Sequence, residues 1–406
     1  MHVYNACKSY IYGLSFLIFS AIRHVLRYPK LRRVLQIALI TFLLWSTADV
    51  ILVHRHYNTE QAHIDYKPPE RQRIFIASAF WNNEQILSRQ WNEAVVDLAN
   101  VFGSDNIFVS VYEDGSSEET KASLRNLEKA LDKNGVQRSI TISDSPIPAG
   151  IDTHLSKKEL KSISHISGLR NKPLKPLYDL RDAGTMFDRV LFLSDAVFTS
   201  QDVLSLLDTN YGTYAAACSF DILTASSHDT FALRDSDGHE RLMQKWPFFR
   251  SSRSREAMKL MLPVPVRSCW DSMVFMRADS FYGNPPLKFR EVPDSLASAR
   301  VSGSECCLIH ADNFHSRRKG VYLNPFVRVG RNTATTDSET QSSHQWLSSW
   351  EILTSLWENR LRRWFTFPSL ERWSLNRRYA AWKAQDENNK EQGDFCLIDE
   401  LWPVTT

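Results

Sequence analysis

The chain has 406 residues, of which 43% are hydrophobic and 23% are charged, with 49 Lys and Arg against 46 Asp and Glu. This globular composition excludes a mostly disordered chain, a collagen and a multi-span membrane protein, and six cysteines are too few for a disulfide scaffold. Six of the bases lie in residues 1–33, which contain no acid. The rest therefore carries 43 bases against 46 acids, which gives no electrostatic case for binding nucleic acid.

A mostly apolar run of twenty residues occupies Val34–Val53, the length that crosses the hydrocarbon core of a bilayer. Arg32 and Arg33 precede it, and the first acid of the chain is Asp49. The positive-inside rule therefore predicts a type II membrane protein with a cytoplasmic tail at 1–33, a transmembrane signal anchor at 34–53 and a lumenal body. A cleaved signal peptide is the alternative, but the segment before the run is long for one. The polar residues 54–72 predict a short stem.

From residue 73 onward, short apolar runs alternate with amphipathic segments. The runs predict strands at Arg73–Ala79, Ile107–Tyr112, Arg138–Ile142, Val190–Ser194 and Tyr214–Phe220. Helical spacing predicts a helix over Glu84–Phe102, and the capping-box pattern of Ser116 and Glu119 predicts the start of another. This alternation predicts an α/β fold with a mostly parallel sheet flanked by helices.

Ligands of such sheets bind beyond the carboxyl ends of the strands. Asn83 follows the first predicted strand, Asp114 the second and Asp195 the fourth. Capping of the following helix is the alternative for Asn83 and Asp114. It is weaker for Asp195, because the next helix is expected to begin near Ser200. An acid directly after a hydrophobic strand is where a nucleotide-sugar enzyme holds its metal, and oxygen ligands suit Mg²⁺ or Mn²⁺.

The sequence contains no Gly-x-Gly-x-x-Gly, P-loop, Cys-x-x-Cys or His-Glu-x-x-His pattern, which disfavours dinucleotide, P-loop and zinc chemistry. His310 follows the apolar run Cys306–Ile309, which we interpret as the end of another strand. A satisfied or exposed histidine is the alternative to a metal ligand there. Five cysteines in the body predict one or two disulfides with one thiol left over, and the sequence does not specify their pairing.

Five segments occur in a recognisable order: Gly168–Asn171, Phe187–Phe198, Asp229–Gly238, Pro263–Ala278 and Ser304–Asp312. Together they resemble the cryptococcal α-1,3-mannosyltransferase family, glycosyltransferase family 69, which includes capsule-associated fungal proteins. The resemblance covers about residues 73–332. It implies a GT-A-like catalytic domain in the Golgi or endoplasmic reticulum that transfers mannose from GDP-mannose to a mannoside acceptor. It further implies an α-1,3 linkage, retention of configuration and a role in cell-surface or capsule glycans.

The resemblance also implies roles for individual residues, with Mn²⁺ or Mg²⁺ as the cofactor. They are donor binding by Asn83, Asp114, Arg170, Asn171 and Asp195, catalysis by Asp271 and Glu305, acceptor binding by Asp235 and Trp270, and metal binding by Asp195 and His310. The alternatives are a salt bridge for Arg170, a solvated turn for Asp235 and core packing for Trp270. GT-A enzymes commonly carry Asp-x-Asp where this sequence has a single carboxylate, Asp195. Metal binding is therefore expected to be weaker, dispensable, or completed by another residue, for which His310 is the candidate.

The segment 333–406 contains seven of the twelve tryptophans. Trp350, Trp357 and Trp364 recur at helical spacing and predict a helical extension packed on the catalytic domain. A sugar platform or a contact with the membrane surface is the alternative.

Two other functions compete with the mannosyltransferase. The first is a transferase-like sugar-binding or assembly subunit without catalysis, which the missing second carboxylate favours. The second is a membrane-anchored glycoside hydrolase with two carboxylates. A complex with other glycosyltransferases is a further expectation.

Overall fold

The structure is a computed structural model that describes residues 29–59, 72–81, 83–143, 166–221, 231–330 and 347–399. Its first helix, α1 (Pro29–Thr59), extends beyond the predicted anchor at both ends. Among the described residues, α1 contains the one helical segment, Arg32–Arg55, that is long and apolar enough to cross a membrane. Most of the predicted tail and most of the predicted stem lie outside the described residues.

Within the described residues, eleven strands form two sheets. They are β1 (Ile74–Phe80), β2 (Ile107–Glu113), β3 (Gln137–Ile142), β4 (Arg189–Leu193), β5 (Ala216–Asp221), β6 (Arg234–Asp235), β7 (Val264–Ser268), β8 (Met273–Arg277), β9 (Val301–Gly303), β10 (Val321–Val329) and β11 (Leu397–Asp399). Nine of them form one sheet in the order β3-β2-β1-β4-β8-β5-β10-β7-β6, and β9 pairs with β11. In the large sheet only β7 and β8 oppose the direction of the other seven strands. The prediction of a mostly parallel α/β sheet is confirmed.

The helices that follow α1 cover both faces of the sheet. They are α2 (Asn92–Phe102), α3 (Glu118–Lys133), α4 (Lys175–Asp182), α5 (Ser200–Leu207), α6 (Ser252–Lys259), α7 (Asp294–Ser298), α8 (Glu305–Asp312), α9 (Ser316–Lys319), α10 (Ser349–Phe365), α11 (Pro368–Glu371) and α12 (Trp373–Lys383). A short α segment at Glu84–Ile86 and a π turn at Leu87–Trp91 lead into α2, so the predicted helix is present. The cap of α3 is one residue later than predicted, at Ser117.

The predicted strands β1, β2, β4 and β5 are found because each is buried on both faces, whereas β3 is a partly exposed edge strand. In β1, Ile74 and Ile76 contribute to the hydrophobic cluster on one face of the sheet, and Phe75 and Ala77 contribute to the cluster on the other. Side chains alternate between the two faces of a strand, so a strand covered on both sides reads as a continuous apolar run.

The interpretation of Cys306–Ile309 as a strand is wrong, because these residues belong to α8. All residues from Glu305 to His310 are buried. A short helix that is buried on every side has no polar face, and its sequence shows no helical period that would distinguish it from a buried strand.

Two disulfides join Cys218 to Cys269 and Cys307 to Cys396, and Cys306 remains as a buried thiol. The second disulfide ties the C-terminal segment to α8, beside the pairing of β11 with β9. The segment after residue 346 is therefore joined to the catalytic body by a covalent bond, by strand pairing and by hydrophobic packing.

We expect Cys396→Ser to lower the free energy of unfolding by about 3–5 kcal/mol, because the bond closes a long loop in the unfolded chain. The measurement is thermal unfolding of the oxidised full chain in detergent. Cys307→Ser and the double variant remove the same bond and should lose the same stability. A double variant much less stable than either single variant would mean that side-chain packing, and not the bond, accounts for the loss.

Candidate functional site

The neighbouring strands β1 and β4 bring Asn83 and Asp195 together at their carboxyl ends. The Asn83 amide donates a hydrogen bond of 2.9 Å to Oδ2 of Asp195, and its Oδ1 accepts one of 2.8 Å from the backbone N–H of Trp81. The Asn83 side chain makes no capping hydrogen bond to the helix that follows it. Thr199, and not Asp195, caps α5. Helix capping therefore does not explain either residue.

Asp271 reaches the same edge from β8. β4 and β8 pair in antiparallel register, and the backbone N–H of Ser194 extends the ladder with a 2.8 Å hydrogen bond to the carbonyl of Ser272. The next residues along the two strands are Asp195 and Asp271. This edge thus carries two carboxylates that follow or precede adjacent strands, whereas an Asp-x-Asp pattern would place both at the end of one strand.

Arg170 lies near Asp195 and is held by Glu305. Its Nε donates a 3.1 Å hydrogen bond to Oε1 of Glu305, the buried first residue of α8. Its guanidinium carbon lies 5.0 Å from the ring centroid of Trp270 and 5.9 Å from that of Phe289. Cation–π contact with Trp270 and Phe289 and a charge-assisted bond to Glu305 fix the direction of the guanidinium.

The charge of Arg170 is favoured by its surroundings. Burial lowers its pKa, and this effect is more than offset by Cys306, Glu305 and Asp195, so that the pKa is raised. Asp195 is thus one of the negative charges that favour the charged guanidinium. A fixed cation beside an anionic edge suits a ligand with phosphate groups, which binds the cation directly and the carboxylates through a metal.

Asp114 lies at the end of β2, where its backbone N–H donates to the last carbonyl of β1. It does not cap α3, since Ser117 does so. The buried Glu113 organises the turn, because its carboxylate accepts hydrogen bonds from the backbone N–H groups of Ser116 and Ser143. Donor binding by Asp114 stays a prediction, and Glu113 is the residue that shapes its loop.

Both the nitrogen and the oxygen of the Asn171 side-chain amide form hydrogen bonds within the protein. The nitrogen donates to the carbonyl oxygens of Ser167 at 3.0 Å and Phe289 at 2.8 Å, and the oxygen accepts from the backbone N–H of Phe289 at 3.0 Å. The side chain thus fixes the loop that carries Phe289 against Arg170. These hydrogen bonds give Asn171 a positioning role. Donor binding by Asn171 stays a prediction.

Asp235 lies away from this edge, on β6, with four strands between it and β4. Its buried carboxylate accepts hydrogen bonds from the backbone N–H groups of Asp237, His239 and Ser251. The turn expected as the alternative is present, but its carboxylate is buried and not solvated. These contacts describe a structural residue of the β6 turn.

His310 lies inside α8 and not at a strand end. Its Nε2 is 2.6 Å from the carbonyl oxygen of Cys269, and burial lowers its pKa to about 4. Its ring and the sulfurs of Cys218 and Cys269 lie within 4.8 Å of one another. The sulfurs form a disulfide and offer no thiolate to a metal. The described part of the chain has no other cluster of three such ligands.

Two residues near the site were not indicated by the sequence. Phe289 packs edge-on against Trp270, with ring centroids 5.1 Å apart. Lys172 is exposed, and its Nζ lies 5.8 Å from the ring of Tyr112 at the end of β2. Lys172 directly follows the Gly168–Asn171 segment, so a second basic residue close to Arg170 was the available signal. No local signal marks Phe289, because only the folded chain brings it to Arg170.

Residues 73–312 match the family model described as cryptococcal mannosyltransferase 1. The chain belongs to this family. The protein is therefore a glycosyltransferase, and the resemblance seen in the sequence is confirmed. The matched range includes Asn83, Arg170, Asp195, Asp271 and Glu305, the residues that meet at the sheet edge. A search of curated proteins finds no match.

Solved structures of glycosyltransferases are similar to this chain at low identity. The mannosyltransferase PcManGT from Pyrobaculum calidifontis, in complex with GDP-Man and Mn²⁺, is 11% identical with a TM-score of 0.37 over 87% of each chain. S. aureus TarS 1–349 is 12% identical with a TM-score of 0.37 over 78% of this chain and 82% of that one. M. tuberculosis glucosyl-3-phosphoglycerate synthase is 11% identical with a TM-score of 0.29 over 71% of this chain and 80% of that one. These similarities assign no residue of this protein.

Proposed function

We propose that this glycosyltransferase transfers mannose from GDP-mannose to a mannoside, forming an α-1,3 linkage with retention, in a GT-A-like domain that builds fungal cell-surface or capsule glycans. The observation that carries the proposal is the family match over 73–312, which contains the edge where Asp195, Asp271 and Arg170 meet. Donor, acceptor and linkage rest on the family resemblance, and the roles of the residues rest on their contacts.

Asp195 and Asp271 fit a divalent cation as its protein ligands. Mg²⁺ is commonly held by one or two carboxylates, with substrate phosphates and waters completing its shell. The second carboxylate that Asp-x-Asp supplies in other enzymes is here available from β8. His310 is left out of this site, because its Nε2 is already bonded to the carbonyl of Cys269. When bound, Mg²⁺ or Mn²⁺ neutralises charge on the diphosphate leaving group.

The protein groups around the diphosphate have distinct tasks. Asn83 holds one oxygen of Asp195 by its 2.9 Å hydrogen bond, which fixes the direction of the carboxylate. Arg170 presents its guanidinium to the phosphates, where negative charge develops as the sugar leaves, and Glu305 keeps it in position. Retention requires the acceptor hydroxyl to attack on the face from which the diphosphate departs. Its proton then passes to the departing phosphate oxygen.

This arrangement weakens the case for a non-catalytic subunit. That alternative depended on a single carboxylate at the strand end, and the paired β4 and β8 supply two. A glycoside hydrolase also uses two carboxylates, but the family match over 73–312 favours a transferase.

We further propose that α1 is a type II anchor in the Golgi or endoplasmic reticulum, with the catalytic body in the lumen. Its length and composition support a membrane span. Arg32 and Arg33 on its N-terminal side support the orientation. The disulfides in the body agree with an oxidising lumen.

We expect the full chain, purified in detergent, to hydrolyse GDP-mannose slowly and to transfer mannose when a mannoside is supplied. The donor panel should include UDP-sugars, and GDP should compete for the site more tightly than UDP. Product linkage and anomeric configuration are read by NMR. Tighter binding of UDP, or hydrolysis of mannosides without any nucleotide donor, would contradict the proposal.

A further inference from the structure

The C-terminal helices expose a set of large apolar side chains that the catalytic domain leaves uncovered. We call it the aromatic platform, and its members, 47–77% exposed, are Leu361, Trp364, Phe365, Phe367, Leu370 and Trp373. Single exposed apolar residues are ordinary on protein surfaces, but six within thirteen positions mark a contact with another apolar phase. The opposite face of α10, which includes Ile352, Leu356 and Asn359, is buried against the body.

The platform continues a contact between α10 and α1. On α10, Trp357, Leu361 and Trp364 are spaced as neighbours on one helix face, and the rings of Trp357 and Trp364 have centroids 6.4 Å apart. Trp357 in turn touches α1, because its Nε1 donates a 2.6 Å hydrogen bond to Ser46 and its ring lies 4.4 Å from that of Phe42. The exposed face therefore begins where α1 packs on the body.

An ion pair fixes this contact at the end of α1 nearer the body. Arg360 bonds the carboxylate of Asp49 and lies 4.2 Å from the ring of Trp45. Val53 belongs to the core of the catalytic body, where it is buried. One face of the last turns of α1 is therefore covered by the body, while Ile51 and Leu52 remain exposed, and α1 cannot swing freely from the body.

These contacts set the depth of α10 relative to a bilayer that α1 crosses. From Phe42 to Asp49 the helix rises about 10 Å. Asp49 is a charged residue near the end of the apolar run, so it belongs near the membrane surface. An amphipathic helix that lies on a membrane enters the boundary of headgroups and acyl chains by about 5–10 Å. α10 is thus at the depth where such helices lie.

The charge of this segment suits a surface of phospholipid phosphates. Between Arg360 and Lys383 the sequence has seven Lys and Arg and one acid, Glu371. Arg360 and Arg378 pair with Asp49 and Asp399, whereas Arg362, Arg377 and Lys383 are exposed. Helices that bind membrane surfaces combine Trp, Phe and Leu with Lys and Arg in this way. A carbohydrate surface would explain exposed aromatic rings, but it would not explain the concentration of positive charge.

From these observations we infer that α10, α11 and α12 dock on the lumenal surface of the membrane, with the aromatic platform among the lipid headgroups and the exposed Arg362, Arg377 and Lys383 on phospholipid phosphates. This rests on the anchoring by α1 proposed above. The membrane then holds the catalytic body by two elements, a span and a surface contact, and the sheet edge with Asp195 keeps a set height above the bilayer.

The test uses the full chain in liposomes of phosphatidylcholine with phosphatidylserine, in a Cys7→Ser background so that the buried Cys306 is the remaining free thiol. An environment-sensitive fluorophore is attached at Leu370→Cys, and the control carries it at Tyr211→Cys, a 92% exposed position in a turn. We expect lipids with spin labels near the headgroup to quench the probe at 370 several-fold more than the probe at 211. In the same background, the triple variant Trp364→Ser, Phe365→Ser and Trp373→Ser should abolish the difference in quenching between the probes at 370 and 211.

Alkaline extraction separates failure of the anchor from failure of the platform. If alkali releases the wild-type chain, the anchor proposal fails. If the chain resists extraction but the probes at 370 and 211 are quenched equally, the surface contact is overturned and the anchor stands. Protection of the probe at 370 by a soluble mannoside, without quenching by lipid, would identify the platform as a sugar site and would also overturn the inference.

Discussion

Asp195→Asn should lower the rate of mannose transfer at least about a thousandfold, or ~4 kcal/mol in the activation barrier. The change keeps the size of the side chain and an oxygen that can accept the hydrogen bond from Asn83. It removes the negative charge that a hard divalent cation prefers. The measurements are the transfer rate, the thermal midpoint and the binding of Mn²⁺ to the protein with GDP present. We expect the midpoint to stay unchanged and Mn²⁺ binding to be lost.

Asp202→Asn is the matched control, because Asp202 lies on the same connection but belongs to the capping box of α5. It should cost about 1 kcal/mol of stability and leave the transfer rate unchanged. Asp271→Asn should weaken Mn²⁺ binding if the two strands share the cation. Near-normal rates for Asp195→Asn, together with full activity of the wild type in a chelator, would refute the metal site at this edge.

Arg170→Ala should lower the transfer rate about 100- to 1,000-fold, because it removes a fixed cation from the place where phosphate charge develops. Arg170→Lys should recover only part of this rate, since a lysine cannot donate to Glu305 and present a planar guanidinium to a phosphate together. Arg181→Ala is the control, because this partly exposed arginine pairs with its neighbour Asp182 at the surface. Its rate should be that of the wild type.

A merely structural salt bridge predicts a different pattern. Removing Arg170 leaves the buried carboxylate of Glu305 unpaired, which destabilises the fold. The double change Arg170→Ala with Glu305→Ala should restore much of the thermal midpoint. If the transfer rate recovers with it, Arg170 acts through stability alone and the phosphate role is wrong. We expect the rate to remain low.

The sequence predicts the parallel half of the fold well, because strands such as β1 and β4 are apolar on both faces and stand out as runs. It predicts α8 wrongly, because a short helix with no polar face has the same pattern as a buried strand. The short strand β6 was not expected as a strand at all, since two residues between turn signals carry no periodicity.

The candidate site shows the same limit. The sequence indicates Asp195 by its position after a strand, but it does not indicate that Asp271 is its neighbour. That relation follows from the insertion of β8 between β4 and β5, which only the sheet order reveals. Likewise, the bond of Asn171 to Phe289 joins residues 118 positions apart. Long-range contacts of this kind depend on tertiary packing and leave no local signal.

The bond between Cys307 and Cys396 has a consequence for the order of events during synthesis. The two cysteines are 89 residues apart, and at about 5–20 residues per second the ribosome needs roughly 5–20 s to deliver the second after the first. During that interval α8 lacks β11 and α12. If the body is lumenal, as proposed above, the thiols of Cys306 and Cys307 are then both accessible to the oxidising enzymes of the lumen. Correct pairing thus depends on a delay in oxidation, and slowing translation within this stretch should increase bonds made by Cys306.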